Sequence, residues 1–284
     1  MGNSINISKY LGPKLMGIVP PASSGAANDP DAQAFITAGS ITDATEQAAI
    51  NELVLELKGQ GTINSTIDFW TSFTSESWAR IFPFVGGTID AHKLDLLNPG
   101  SNNLIFYGGL IHDDRGITGN GTNGYYEIYG NTNVITTNSI MLTAYVDGRG
   151  VFGSYNQQSG RQLQHNVGYN SITTFRSYIM SSLQQDAPDN APHQGYYSMK
   201  TDETIDTQNV KGIYTQHGTR VTGNPNQKMT GMGLWYAPYS NTIGSGYMSR
   251  TDKWVSITPY INNGAEDLFR TIIDQYQTAL GRNH

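Results

Sequence analysis

The spacing of apolar and polar positions changes twice along the 284 residues. From Pro30 to Lys58 it has a helical period. Pro30 to Ala38 predicts a short helix, with Asp29 as its cap and Pro30 at the first helical position. A second helix is predicted over 43–58. Asp43 and Glu46 have capping-box spacing, Ala49, Leu53 and Leu57 recur on one face beside Ile50 and Val54, and Gly59 and Gly61 end it. Ser75 to Arg80 predicts one further helical turn. The helical period returns over 264–280. There Asn262 or Asn263 can cap, Glu266 and Asp267 sit in the positive first turn, and Gly281 stops the helix. Its stripe of Leu268, Phe269, Ile272, Ile273, Tyr276, Ala279 and Leu280 must pack on another element.

Between these helices, from about Leu104 to Ile257, the period is that of strands. Ile140-Met-Leu-Thr-Ala-Tyr-Val146 is apolar on both alternating faces, as a strand buried from both sides would be. Leu163, His165 and Val167 alternate with Gln162, Gln164 and Asn166, which suits a half-buried strand. Further strands are predicted at 104–109, 124–129, 150–155, 172–180, 194–199, 210–217, 228–236 and 252–258. Asn120-Gly121, Asn123-Gly124 and Asp147-Gly148 supply turns. So many short strands predict a mainly β protein: an antiparallel sandwich or jelly roll, with the N-terminal helices and the C-terminal helix packed outside.

Residues 1–29 fall outside this pattern. Pro13, Pro20 and Pro21 interrupt them, and Ala22 to Asn28 reads as a linker. Leu11, Leu15, Met16, Ile18 and Val19 make the segment more apolar than a spacer needs. It reads either as a docking arm onto a neighbouring subunit or as a leader without structure of its own, with 30–284 as one sandwich domain.

Composition narrows the partners. Charged residues are only 14% of the chain, while Gly numbers 32 and Tyr 17, a balance that suits strands and tight turns. The formal net charge is −6 and no Lys/Arg run could follow a phosphate backbone, so nucleic acid is not an expected partner. The absence of Cys excludes disulfides, thiol catalysis and thiolate metal sites. Met1 to Lys14 has no signal-peptide pattern and no apolar run reaches membrane-spanning length. The expectation is synthesis in a cytoplasm without export by a recognisable signal.

Three stretches carry a resemblance. They are Asp31-Ala-Gln-Ala-Phe-Ile-Thr37 continuing into Ile41 to Asn51, Phe82-Pro-Phe-Val-Gly-Gly-Thr88 with His92-Lys93, and Thr271 to Arg282. Together they resemble a family of phage-encoded virion-associated proteins from phages of Bacteroidetes-type hosts, whose domain looks like a concanavalin A-like (laminin-G-like) sandwich. Gly119-Asn-Gly-Thr-Asn-Gly124 also fits that pattern. Leu94 to Pro99 keeps only the outline of the family's turn, and Gly108 to His112 stands where a Trp-rich strand is expected. The resemblance implies a phage origin and a sandwich fold, and transfers no ligand or catalytic residue.

A concanavalin A-like sandwich raises the question of glycosidase chemistry. Retaining glycosidases need two carboxylates about 5 Å apart, and no Glu-x-Asp-x-x-Glu run occurs. Glu127, in Tyr125-Tyr-Glu-Ile-Tyr129, has no carboxylate two or four residues away and reads as a solvent-facing strand residue. Nucleophile elbows, phosphate loops and His-Glu-x-x-His are absent. His112-Asp113-Asp114 reads as a surface turn. The resemblance leaves calcium open at Asp113, Asp114 or Asp147, and no other cofactor is expected. For a glycan, Trp235-Tyr236 with Tyr239 and Asn241, and the Tyr196-Tyr197 pair, could form aromatic platforms. The competing reading, which the burial habits of such rings favour, is that they fill the core or a subunit contact. Trp70, Trp78 and Phe73 are expected to seat the N-terminal helices.

The function expected is that of a virion structural protein at the particle surface, in capsid, vertex or tail. Its partners would be other virion proteins and copies of itself. The alternative is a receptor-binding module that attaches the particle to host surface polysaccharide. No enzyme is expected.

Overall fold

The structure is a computed structural model. It describes residues 28–101, 103–128, 139–148, 150–156, 161–167, 174–181, 185–188, 194–202, 205–219 and 250–282. The N-terminal layer is helical: α1 (Pro30–Ala38), α2 (Ala44–Leu57) and α3 (Phe69–Thr74). Each begins on the carboxylate the sequence offers. Asp29 accepts from Asp31 N, Asp43 from Thr45 N and Glu46 N, and Asp68 from Thr71 N. The helical turn expected at 75–80 is displaced. Asp68 caps α3 earlier, and Arg80–Phe82 is drawn out as strand β1, paired antiparallel to residues 255–257.

A short helix α4 (Ile89–His92) follows, then β2 (Leu104–Tyr107), β3 (Ile111–Asp113), β4 (Gly116–Thr118) and β5 (Tyr125–Ile128). The long strands are β6 (Ser139–Asp147), β7 (Gly150–Asn156), β8 (Arg161–Val167), β9 (Thr174–Ser181), β10 (Gln185–Pro188), β11 (Gln194–Asp202), β12 (Ile205–Val210), β13 (Ile213–Thr219) and β14 (Thr251–Pro259). The chain closes on α5 (Asn263–Ala279), capped by Asn262 through Ala265 N.

The main sheet has the order β13-β12-β11-β6-β14-β4-β3, with β1 also on β14; a second runs β10-β9-β8-β7, and β2 and β5 form a separate ribbon. All pairings among the described residues are antiparallel. β9 and β10 lie against β11 and β12. The fold is an antiparallel β-sandwich with flanking helices, as the strand spacing predicts.

Ile140 to Val146 is wholly buried at the centre of the main sheet. The rings of Trp254, Phe269, Phe69, Phe73 and Tyr276 form the seam between β14 and the helices, with centroids 5.6 to 6.2 Å apart. Among the described residues no helix is long and apolar enough to cross a membrane.

Candidate functional site

The β2–β5 ribbon stands at the β3 end of the main sheet. Its register sets Tyr107 opposite Tyr125 and Phe106 opposite Tyr126. Because successive strand residues face opposite sides, the two pairs point in opposite directions. Phe106 and Tyr126 turn inward. The Tyr126 hydroxyl donates to Asp252 Oδ2 at 2.7 Å, Arg250 Nε donates to Asp252 Oδ1 at 2.8 Å, and all three residues are buried. Burial pushes the Asp252 carboxyl up, against the pull of Arg250 and the Tyr126 hydrogen bond.

Tyr107 and Tyr125 take the opposite side, where Tyr107 is exposed and Tyr125 half-buried against the core. Their rings stack at 4.5 Å with planes 11° apart, and Tyr107 is 36% exposed. A loop rich in Gly and Asn borders them. Asn120 Oδ1 accepts from the backbone N–H of Thr122, Asn123 and Gly124, each at 3.0 Å. Asn123 Oδ1 accepts from Gly109 N at 3.2 Å and from Asn120 Nδ2 at 2.7 Å. Gly108 makes this closure possible: its φ is +69°, and a Cβ there would lie 2.1 Å from Asn123 O.

Beside the ribbon, the β3–β4 hairpin carries Ile111, 52% exposed, and α4 carries Ile89, 55% exposed. Between these elements His92 Nδ1 and His112 Nδ1 meet at 3.1 Å, with the Phe106 ring 4.6 Å from His112. Burial, then the neighbouring His112 and Arg282, press His92 down to about 3. Burial also lowers His112. At the hairpin tip Asp113 takes Arg115 Nε at 3.1 Å and Nη2 at 2.5 Å. Burial raises the Asp113 carboxyl, but the hydrogen bonds from Arg115 outweigh it and hold the group below its ordinary value.

The carboxylates suggested for calcium go to separate partners. Asp113 is engaged by Arg115, Asp114 is exposed in the turn, and Asp147 accepts from Gln194 Nε2 at 2.7 Å. Among the described residues no three His, Asp or Glu side chains gather to hold a metal.

The aromatic platform expected at Tyr196-Tyr197 is corrected. Both rings are buried and no sugar can reach them. Strand β11 lies inside the main sheet, and its polar residues serve α5. Lys200 Nζ meets Glu266 Oε2 at 2.6 Å with both side chains wholly buried. Glu266 Oε1 accepts from Tyr196 OH at 3.2 Å, from Asn209 Nδ2 at 2.9 Å and from Ser198 Oγ. Trp235, Tyr236, Tyr239 and Asn241 lie outside the described residues, as do Leu11, Leu15, Met16, Ile18 and Val19. Glu127 stands in β5 opposite Ile105. Trp70, Trp78 and Phe73 are buried in the helical layer, as expected. The Tyr107–Tyr125 pair and the His92–His112 contact escaped the sequence. Both depend on the pairing of distant segments, which alternation alone does not reveal.

No family model and no curated protein matches the chain. Solved structures do. Trypanosoma rangeli sialidase in complex with sialic acid has a TM-score of 0.51 at 10% identity, covering 70% of this chain and 33% of the sialidase. The same enzyme with 2,3-difluorosialic acid, as a covalent intermediate, also has a TM-score of 0.51 at 10% identity, covering 69% and 32%. Domain 4 of a GH43 extracellular arabinanase from Geobacillus stearothermophilus, in complex with arabinotriose, has a TM-score of 0.45 at 12% identity, covering 68% and 99%. The chain thus spans about a third of the sialidase's length, and what is shared is the fold.

That likeness overturns one expectation. The missing carboxylate pair predicts no enzyme, yet this fold is shared with part of a glycosidase trapped as a covalent intermediate. Sialidases use a Tyr nucleophile and stand outside the two-carboxylate rule. The missing Glu-x-Asp-x-x-Glu run therefore excludes one catalytic apparatus, and the general exclusion falls.

Proposed function

We propose that the chain is a surface component of a phage particle and that it binds host-surface glycans on the outer face of the β2–β5 ribbon. One observation carries the glycan part: the stacked Tyr107–Tyr125 pair, Tyr107 exposed and Tyr125 half-buried, bordered by Asn120, Thr122 and Asn123. Sugar rings present apolar C–H faces with hydroxyls around the rim. A rigid aromatic face beside amide and hydroxyl groups complements both parts. Holding the platform costs little on binding, because the Asn120 and Asn123 hydrogen bonds already fix the loop.

The phage part is supported by the resemblance in 31–51, 82–93 and 271–282. These stretches meet in space. Arg282 Nη1 donates to Phe84 O at 2.8 Å, Tyr276 OH to Pro83 O at 3.3 Å, and Gly86 N to Glu46 Oε1 at 3.2 Å. They form one scaffold at the junction of α2, α5 and the segment after β1.

The test uses the full chain and intact particles. Antibody to the chain should label the particle surface, and the purified chain should bind the host's surface polysaccharide. Tyr107→Ala should weaken that binding roughly fivefold, the effect of losing about 1 kcal/mol of ring contact. Unlabelled particles would overturn the virion part; binding indifferent to Tyr107→Ala would overturn the placement of the site.

A further inference from the structure

We infer that the glycan held at the Tyr107–Tyr125 face is neutral, built of uncharged sugars without carboxylate or sulfate. This rests on the glycan reading above and adds the ligand's chemical class.

A protein surface that holds an acidic sugar must offer an uncommitted cation or a cradle of backbone N–H groups. Among the described residues of the ribbon, the β3–β4 hairpin and α4, both are already occupied. Within 103–128 the one basic side chain besides His112 is Arg115, against Asp113, Asp114 and Glu127, so the segment carries one positive and three negative charges. Arg115 spends its guanidinium on Asp113, with Nε at 3.1 Å and Nη2 at 2.5 Å. On the neighbouring α4 side, Lys93 Nζ is held by Asp90 at 2.6 Å.

The cradle is closed in the same way. Three consecutive N–H groups, from Thr122, Asn123 and Gly124, converge as an anion site would require, but all point at Asn120 Oδ1. Gly109 N is taken by Asn123 Oδ1. An uncharged amide oxygen of the chain thus sits where a carboxylate would bind. What remains outward is an aromatic face and the Asn123 Nδ2, which has no partner among the described residues. Those groups suit C–H faces and hydroxyls.

The experiment is a calorimetric binding panel on the full chain at low ionic strength. Its probes are neutral gluco-, galacto-, manno- and arabino-tetrasaccharides, with oligogalacturonate and sialyllactose as acidic ones. At least one neutral probe should bind and lose affinity in Tyr107→Ala, while the acidic probes bind roughly tenfold more weakly or worse. Asp113→Asn, which releases Arg115, should narrow that gap. An acidic probe that binds as tightly as the neutral ones, with the Tyr107 dependence intact, would overturn the inference and leave the glycan reading standing. If no probe of either charge binds in a Tyr107-dependent way, both fall.

Discussion

At the residue scale, buried ionisable groups place the largest energies on single side chains. Lys200 and Glu266 are wholly buried against each other, and Glu266 also collects Tyr196, Ser198 and Asn209. Glu266→Gln leaves the Lys200 ammonium buried without its counter-charge. It should cost about 3–5 kcal/mol, read as a fall in the urea midpoint. Two other groups oppose each other with pH. His92 is held down to about 3, so between there and its ordinary 6.5 the unfolded chain binds more protons and stability rises with pH. Asp95, raised to about 7 chiefly by burial, binds its proton more tightly when folded. Between 3.8 and about 7 its contribution falls as pH rises. The two slopes offset over their shared window. In Asp95→Asn the His92 slope should emerge, with stability climbing toward pH 6.5 by up to about 1.4 kcal/mol per unit. A flat denaturation profile in that variant would contradict the assignment. These couplings were not legible in the sequence, because nothing in the local pattern marks Asp95 or Lys200 as buried.

At the scale of elements, legibility followed the strength of local signals. Asp29, Asp43 and Asn262 announce helices that begin where they stand, since a cap is chemistry within four residues. Ile140–Val146 was equally plain as a strand buried from both sides. β12 was missed because Asp206, Thr207, Gln208 and Asn209 are polar yet buried, and their place is set by pairing with β11 and β13. β3 and β4 have three residues each, too few for a period to show. The β2–β5 strands themselves were expected, but not their pairing with each other, and so the site was missed. The ribbon's geometry turns on Gly108. Gly108→Ala brings a methyl against Asn123 O at a positive φ, and should destabilise the chain by about 1–3 kcal/mol. It should also abolish the Tyr107-dependent glycan binding while leaving the helical circular dichroism signal intact.

At the scale of the whole molecule, the sandwich holds a small exposed aromatic face at one end of a large sheet. The stretches that carry the phage resemblance gather on the helical side, at Glu46, Phe84, Tyr276 and Arg282. Scaffold and proposed binding face are thus distinct parts, joined through Phe84, whose ring lies 5.8 Å from Tyr126 in the ribbon. Such a division would let the face vary while the scaffold is kept.

The most direct measurement is an amide chemical-shift titration of the isotopically labelled full chain with the neutral tetrasaccharide that binds it best. Seating of the glycan on the Tyr107–Tyr125 face puts the largest changes on Tyr107 to Gly109 and on Asn120 to Tyr125, where they saturate together and vanish in Tyr107→Ala. Changes confined to other segments, with Tyr107 and Tyr125 unmoved, would contradict it.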